Sequence, residues 1–222
     1  MNRRPRGKGE ATLDGETLYY EDIPGRSKSG PLLVLLHGRG ADENDLPPIV
    51  DYVARGWNAV SIRAPIEFPM GGFAWFDFKP DLGPDEKTLR KGIAALLLTL
   101  DDIRESYPQS PTVLLGFSQG GLIALSAATA RRPTLSGCAA LSGCLPSDKD
   151  LPAPLSSLKG FPVLQTHARN DFVLPFAWAE NARDRLVKAG AELTRIEHEA
   201  GHTIPLDAME RLATWLERVA TR

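Results

Sequence analysis

The residues that most constrain the fold are 114–125, LLGFSQGGLIAL. Ser118 stands between two glycines, where an apolar run typical of a buried strand meets a run of helical composition. The pattern G-x-S-x-G between a strand and a helix predicts a tight turn, the nucleophile elbow, which holds a serine hydroxyl above the edge of a sheet. The turn leaves no space for a Cβ atom at Gly116 or Gly120. We therefore predict that Ser118 is a nucleophile.

Apolar and amphipathic segments alternate on both sides of this stretch. Short apolar runs predict strands, among them PLLVLLHG, FPVLQTHA and AELTRIEHE, and segments with apolar residues every three or four positions predict helices, including one that starts at Glu86. Such alternation is typical of a mostly parallel sheet with helices on both faces. Residues 65–86, rich in aromatic residues, Gly and Pro, are predicted to form a long loop.

The composition excludes several classes of protein. A net charge of −2 gives no electrostatic reason to expect nucleic acid as a partner, and the longest apolar runs are too short to span a bilayer. Residues 1–10, MNRRPRGKGE, are predicted to be a disordered basic tail, since no apolar segment follows that would make them a secretory signal. Residues 11–222 are predicted to form a single domain.

The two cysteines, Cys138 and Cys144, lie in the apolar segment SGCAALSGCL. They do not form a C-x-x-C pair. We expect both to be buried, reduced thiols, which favours the cytoplasm. The sequence does not decide between a monomer and a homodimer.

A serine nucleophile needs a histidine base and an acid that orients the base. In hydrolases with this elbow the acid and then the histidine follow the serine in the chain. His202, in GHTIP, lies between the last predicted strand and the last helix, and Asp171 is the only carboxylate of the loop RNDFVLP after an earlier strand. The predicted triad is Ser118, Asp171 and His202. His167 and His198 are predicted to be structural.

A tetrahedral intermediate also needs donors for its oxyanion. One expected donor is the backbone N–H of Gln119, directly after the nucleophile. The other is the backbone N–H of Arg39 in LLHGRGAD, where Gly38 and Gly40 allow the backbone to approach closely. His37 in the same stretch is predicted to fix the loop.

These residues resemble the phospholipase/carboxylesterase family of α/β-hydrolases, which includes acyl-protein thioesterases and small bacterial carboxylesterases. The resemblance runs from about Gly30 to the C-terminus and rests on LHGRGADEND, RAP, AWFDF, GFSQGG, ALSGCLP, PVLQTHARNDFVLP and GHTIP. It implies an α/β-hydrolase fold and hydrolysis of esters or thioesters without a cofactor. It also implies the same triad and the same two oxyanion donors.

The aromatic loop, residues 65–86, contains the residues that are predicted to contact the acyl group of the substrate. Met70, Phe73 and Trp75 are expected to line an acyl pocket, with Phe172 beside the acid. The core uses most of the chain, so no large cap domain is expected, and an open groove suits short- to medium-chain acyl esters. Carboxylesterase activity is the first prediction. Acyl (protein) thioesterase or lysophospholipase activity is the alternative.

The Arg39 side chain starts from the rim of the predicted site. It could pair with an acidic residue of its own loop, Asp42, Glu43 or Asp45. If it instead reaches the substrate, its charge would disfavour a long alkyl chain and attract an anionic group.

Two other classes of function remain as remote alternatives. Residues 198–202, HEAGH, match the zinc motif H-E-x-x-H, which binds metal only on a helix. A zinc peptidase using His198 and His202 would need a helix there, which Gly201 and the strand-like LTRIEH oppose. A non-catalytic, hydrolase-like binding protein would be expected to lack a triad member, yet all three are present.

Overall fold

The computed structural model describes residues 16–80 and 83–221. The predicted basic tail, residues 1–10, lies outside the described residues. The strands are β1 (Tyr20–Ile23), β2 (Leu32–Leu36), β3 (Asn58–Ile62), β4 (Ile66–Glu67), β5 (Phe73–Ala74), β6 (Thr112–Phe117), β7 (Leu135–Leu141), β8 (Pro162–Ala168) and β9 (Glu192–His198). The helices are α1 (Pro47–Val53), α2 (Glu86–Ser106), α3 (Gln119–Ala128), α4 (Phe176–Lys188) and α5 (Leu206–Ala220).

Seven of the strands form one sheet in the order β1-β3-β2-β6-β7-β8-β9. Strand β1 is antiparallel to β3, and every other pair in the sheet is parallel. The parallel strands all end at the same edge of the sheet, where loops of α/β proteins carry their functional groups. The predicted mostly parallel sheet is confirmed.

Strand β2 shows how the two faces of the sheet are covered. Its five residues, LLVLL, are each at most 1% exposed. Leu32, Val34 and Leu36 pack with α2 and α3 on one face, whereas Leu33 and Leu35 pack with α1 and α5 on the other. A strand that is buried on both faces needs a continuous apolar run, because successive side chains point to opposite faces.

Two features differ from the sequence expectations. Strand β1 was not predicted, since YEDI has no apolar run and lies at the sheet edge. The predicted long loop contains a small hairpin, in which β4 pairs antiparallel with β5. Its strands have two residues each, too short to show a period. The hairpin is held by Gly40 N–H, which donates to Phe73 O at 2.8 Å, and by Phe73 N–H, which donates to Ala41 O at 2.8 Å.

Among the described residues, no separate domain covers the carboxyl edge of the sheet, as predicted. In the same part of the chain, no helix is long and apolar enough to cross a membrane.

Candidate active site

The turn between β6 and α3 places Ser118 at the carboxyl edge of the sheet. Ser118 has φ 55° and ψ −118°, a region that costs a non-glycine residue about 1–3 kcal/mol. Its N–H donates to Leu141 O at 2.9 Å, which holds this conformation. A Cβ atom on Gly116 would lie 2.1 Å from Gly120 O, and one on Gly120 would lie 2.0 Å from Leu36 O. Only glycine fits at either position, as predicted.

The structure brings Ser118, His202 and Asp171 together. Ser118 Oγ lies 3.0 Å from His202 Nε2, and His202 Nδ1 lies 2.7 Å from Asp171 Oδ2. The three residues follow β6, β9 and β8, so the shared carboxyl edge of parallel strands accounts for their proximity. The ring of Phe117 packs 4.9 Å from the ring of His202, between ring centroids, and supports its orientation.

The surroundings of Asp171 keep it ionised. Its side chain is fully buried, and burial alone would raise the pKa of a carboxyl group. The hydrogen bond from His202 and two backbone N–H donors, of Leu174 at 2.9 Å and Val173 at 2.8 Å, outweigh burial and lower the pKa below its usual value. A carboxylate here accepts the Nδ1–H of His202, which leaves Nε2 free to accept the Ser118 proton.

Of the two other histidines that follow Ser118 in the chain, His167 has a structural hydrogen bond and His198 ends a strand. His167 Nε2 donates to Leu174 O at 2.9 Å, and thereby holds the acid loop. His198 ends strand β9, and residues 199–205 lie outside any helix, so His198 and His202 do not share a helical face as a zinc peptidase would require. The described residues contain no cluster of three or more His, Cys, Asp or Glu side chains suited to a metal.

The two predicted oxyanion donors follow residues that adjoin the elbow, Gly38 and Ser118. A Cβ atom on Gly38 would lie 3.5 Å from the Cβ of Ser118, so the end of β2 abuts the elbow. Within residues 16–80 and 83–221, neither Arg39 N–H nor Gln119 N–H has a hydrogen-bond acceptor. The Gln119 N–H is unpaired because it opens helix α3, whose first N–H groups have no partner within the helix.

Trp75 is not a pocket residue, which corrects the sequence expectation. Its side chain is 0% exposed and belongs to the core. Its indole N–H donates to His37 O at 2.8 Å. The sequence did not separate Trp75 from surface candidates, because the aromatic loop has no period, and periodicity is what distinguishes core from surface positions in a sequence.

The side chain of Gln119 joins Trp75 in a brace that sequence reasoning missed. Gln119 Oε1 accepts from Trp75 N–H at 2.9 Å, and its Nε2 donates to Phe76 O at 2.9 Å. His37 completes the connection, since its Nε2 accepts from Ala64 N–H at 3.0 Å and its Nδ1 donates to Gly38 O at 2.7 Å. The brace therefore ties the residue after the serine to the loop of Arg39. The loop-fixing role predicted for His37 is confirmed.

The other predicted pocket residues lie at different depths. Met70 is 85% and Phe172 is 92% exposed, so both are free to contact a ligand. Phe73 is half-buried in the β4–β5 hairpin, where the guanidinium of Arg63 lies 4.7 Å from its ring centroid. The structure does not show any of the three beside Ser118.

Both cysteines are unpaired and buried. Burial raises the pKa of the Cys138 thiol, and it raises the pKa of Cys144 to about 12. A thiol that stays protonated is a weak nucleophile. The prediction that both cysteines are buried is confirmed, and their reduced state in solution stays a prediction.

Comparison with known proteins identifies the family. The model of the phospholipase/carboxylesterase family matches residues 21–220. Acyl-protein thioesterase 1 of Cryptococcus neoformans is 26% identical over 178 residues, which are 72% of this chain and 75% of that protein.

Solved structures show the same fold. The crystal structure of esterase PE8 superposes with a TM-score of 0.79 at 25% identity, over 91% of this chain and 99% of that chain. The Bacillus cereus carboxylesterase superposes with a TM-score of 0.82 at 23% identity, over 93% and 97% of the two chains. The chain therefore belongs to the phospholipase/carboxylesterase family of α/β-hydrolases and is a serine hydrolase of the carboxylesterase and acyl-protein thioesterase type.

Proposed function

We propose that the chain hydrolyses carboxylic esters with short- to medium-length acyl groups through an acyl-enzyme on Ser118. The observation that carries the proposal is the continuous hydrogen-bonded series from Ser118 Oγ through His202 to the buried Asp171. This series joins a strained serine, a histidine and a buried carboxylate that come from three different loops.

The proposed reaction follows from this geometry. His202 Nε2 accepts the Ser118 proton as Oγ attacks the carbonyl carbon, and Asp171 stabilises the imidazolium that forms. The N–H groups of Arg39 and Gln119 donate to the developing oxyanion, each worth about a hundred- to a thousandfold in rate. The intermediate then collapses, and His202 returns the proton to the leaving alcohol. Water, activated by the same histidine, hydrolyses the acyl-enzyme and restores the serine.

The proposed preference for short and medium acyl groups rests on the open edge of the sheet. Met70, between β4 and β5, and Phe172, directly after Asp171, offer exposed apolar side chains, and we propose that they, with Phe73, contact the acyl group. An exposed apolar surface contacts a few methylene groups but does not enclose a long chain, so each further methylene adds less binding energy.

Thioester hydrolysis is the second candidate. The similarity to acyl-protein thioesterase 1 of Cryptococcus neoformans favours it, and the same nucleophile and oxyanion donors serve either leaving group. We also propose a cytoplasmic location, supported by the free, buried thiols.

The experiment compares wild type with Ser118→Ala on p-nitrophenyl esters from acetyl to hexadecanoyl and on an acyl thioester. We expect wild type to peak at short to medium chains and to be labelled by a fluorophosphonate, and Ser118→Ala to lose both turnover and label while its circular dichroism is unchanged. Turnover that survives in Ser118→Ala would contradict the proposal. A peak at hexadecanoyl would contradict the chain-length assignment alone.

A further inference from the structure

The guanidinium of Arg39 is held over two aromatic rings at the rim of the active site. Its central carbon lies 4.4 Å from the ring centroid of Phe68 and 4.9 Å from that of Phe78. Arg39 directly follows Gly38, the residue that abuts the elbow, and its own N–H is a proposed oxyanion donor. The Arg39 backbone therefore starts beside the elbow, and its guanidinium lies within the length of one arginine side chain of that point.

The charge of Arg39 has no carboxylate partner within the described residues. The contrast with Arg63 is informative, because Arg63 also lies over two rings, of Tyr19 and Phe73. Arg63 is neutralised by the buried carboxylate of Glu43, to which it donates from Nε at 2.6 Å. Of the three acidic partners that the sequence offers to Arg39, Glu43 is thus occupied by another arginine. Neither Asp42 nor Asp45 forms an ion pair with Arg39 in the part of the chain that the structure describes.

We propose that Arg39 is a specificity-determining residue that selects esters carrying a carboxylate near the scissile bond, such as half-esters of dicarboxylic acids. The inference rests on the proposed function of the same site. Arginine is suited to this task because its planar fork of donors matches a carboxylate.

The aromatic contacts explain why an exposed arginine can be selective. A free arginine side chain loses rotamer freedom when it binds an anion, which cancels much of the gain of a surface ion pair. Stacking on Phe68 and Phe78 restricts the Arg39 side chain before the substrate arrives, so less entropy is lost on binding. The same guanidinium covers two rings that would otherwise offer apolar contact, which disfavours an uncharged chain at this place.

The test uses two esters of matched length, monoethyl glutarate and ethyl pentanoate, mixed in one reaction. Their relative consumption gives the ratio of the two kcat/KM values directly, and this ratio cancels any change in the hydrolytic steps that both esters share. We expect Arg39→Gln to lower the ratio of anionic to neutral ester by up to about fivefold, as for an exposed ion pair. Arg39→Lys keeps the charge and should retain part of the ratio.

Two controls are a measurement at high salt concentration and a variant of a distant arginine, Arg55. The wild-type ratio should approach that of Arg39→Gln near 1 M salt, where the screening length is about 3 Å. Arg55→Gln removes the same charge from an exposed turn before β3, at the opposite edge of the sheet, and should leave the ratio unchanged. An unchanged ratio in Arg39→Gln, or an equal shift in Arg55→Gln, would overturn the inference. Turnover of either ester by Ser118→Ala would instead contradict the proposed function.

Discussion

The charge state of Asp171 depends on the groups that surround its carboxyl group. A fully buried carboxyl group is normally driven towards its neutral form, and a neutral acid would not accept the Nδ1–H of His202. Three donors aimed at its two oxygens reverse this tendency, and they come from residues 173, 174 and 202. Hydrogen bonds to a buried anion thus fix both the charge of the acid and the tautomer of the base.

Replacing Asp171 with Asn should lower kcat by about a thousandfold or more, because the imidazole loses the carboxylate that orients it and stabilises its charge. Steady-state ester hydrolysis measures the effect. Asp148→Asn is the matched control, since Asp148 is an exposed carboxylate on a neighbouring loop and should show unchanged turnover. Near-normal turnover of Asp171→Asn would transfer the acid role to another carboxylate.

Trp75 and Met70 lie five positions apart in the aromatic segment yet have opposite environments. Trp75 is 0% exposed and Met70 is 85% exposed. Trp75→Ala should therefore lower the free energy of unfolding by about 3–5 kcal/mol, through a cavity and the loss of the indole donor to His37 O. Met70→Ala should leave it within about 0.5 kcal/mol of wild type. Urea unfolding distinguishes the two, and equal effects would contradict this assignment.

At the scale of elements, the junction of β6 and α3 brings three backbone segments into contact. Helix α3 starts immediately after Ser118 and packs directly against β6 and β7. Its first turn touches the end of β2, where Leu36 O would be 2.0 Å from a Cβ atom on Gly120. The absence of a side chain at this position lets the helix start close enough to the sheet for Ser118 to face His202.

Gly120→Ala should destabilise the protein by about 3 kcal/mol or more, the upper end for overpacking, because its Cβ would meet backbone that cannot rotate away. Gly121→Ala is the matched control, with the closest atoms to its Cβ at 3.1 Å, and should have a smaller effect. Thermal unfolding of both variants provides the comparison. If Gly120→Ala were as stable as Gly121→Ala, the elbow would have space that the structure does not show.

At the scale of the whole molecule, burial of neutral histidines links stability to pH. Burial lowers the pKa of His37, His167 and His198 below the ordinary value of 6.5. As the pH falls through 6.5, the unfolded chain takes up these protons before the folded protein does, so the free energy of unfolding decreases. The stabilisation is fully present well above pH 6.5 and is lost progressively as the pH falls through 6.5 and below.

We expect urea unfolding at pH 7.5, 6.5 and 5.5 to show a decline that is larger in the lower interval than in the upper one, at most about 1.4 kcal/mol per pH unit for each histidine. Carboxylates contribute little there, because their ordinary pKa values lie near 4 and that of Asp171 is lower still. A free energy of unfolding that stays constant between pH 7.5 and 5.5 would contradict burial of the neutral forms.

Local sequence determined the parts of the molecule that short-range sterics control. The glycines around Ser118 follow from the geometry of one tight turn, and the helix that starts at Glu86 follows from its own apolar period. The three triad residues could also be predicted from the sequence, because chain order and the shared carboxyl edge of parallel strands limit the candidates to a few loop residues. The catalytic roles of Ser118, Asp171 and His202 stay predictions.

Only the tertiary structure decided which aromatic residues are buried and where the charge of Arg39 lies. The bond from Trp75 to His37 O joins residues 38 positions apart, and the segment between them has no period that would reveal it. Along the chain Glu43 lies four positions from Arg39 and 20 positions from Arg63, so local sequence favours a pair with Arg39. The sheet places Arg63 beside Glu43, and this leaves the Arg39 cation at the rim of the site. Pairings of this kind depend on distances between segments, which local propensity does not encode.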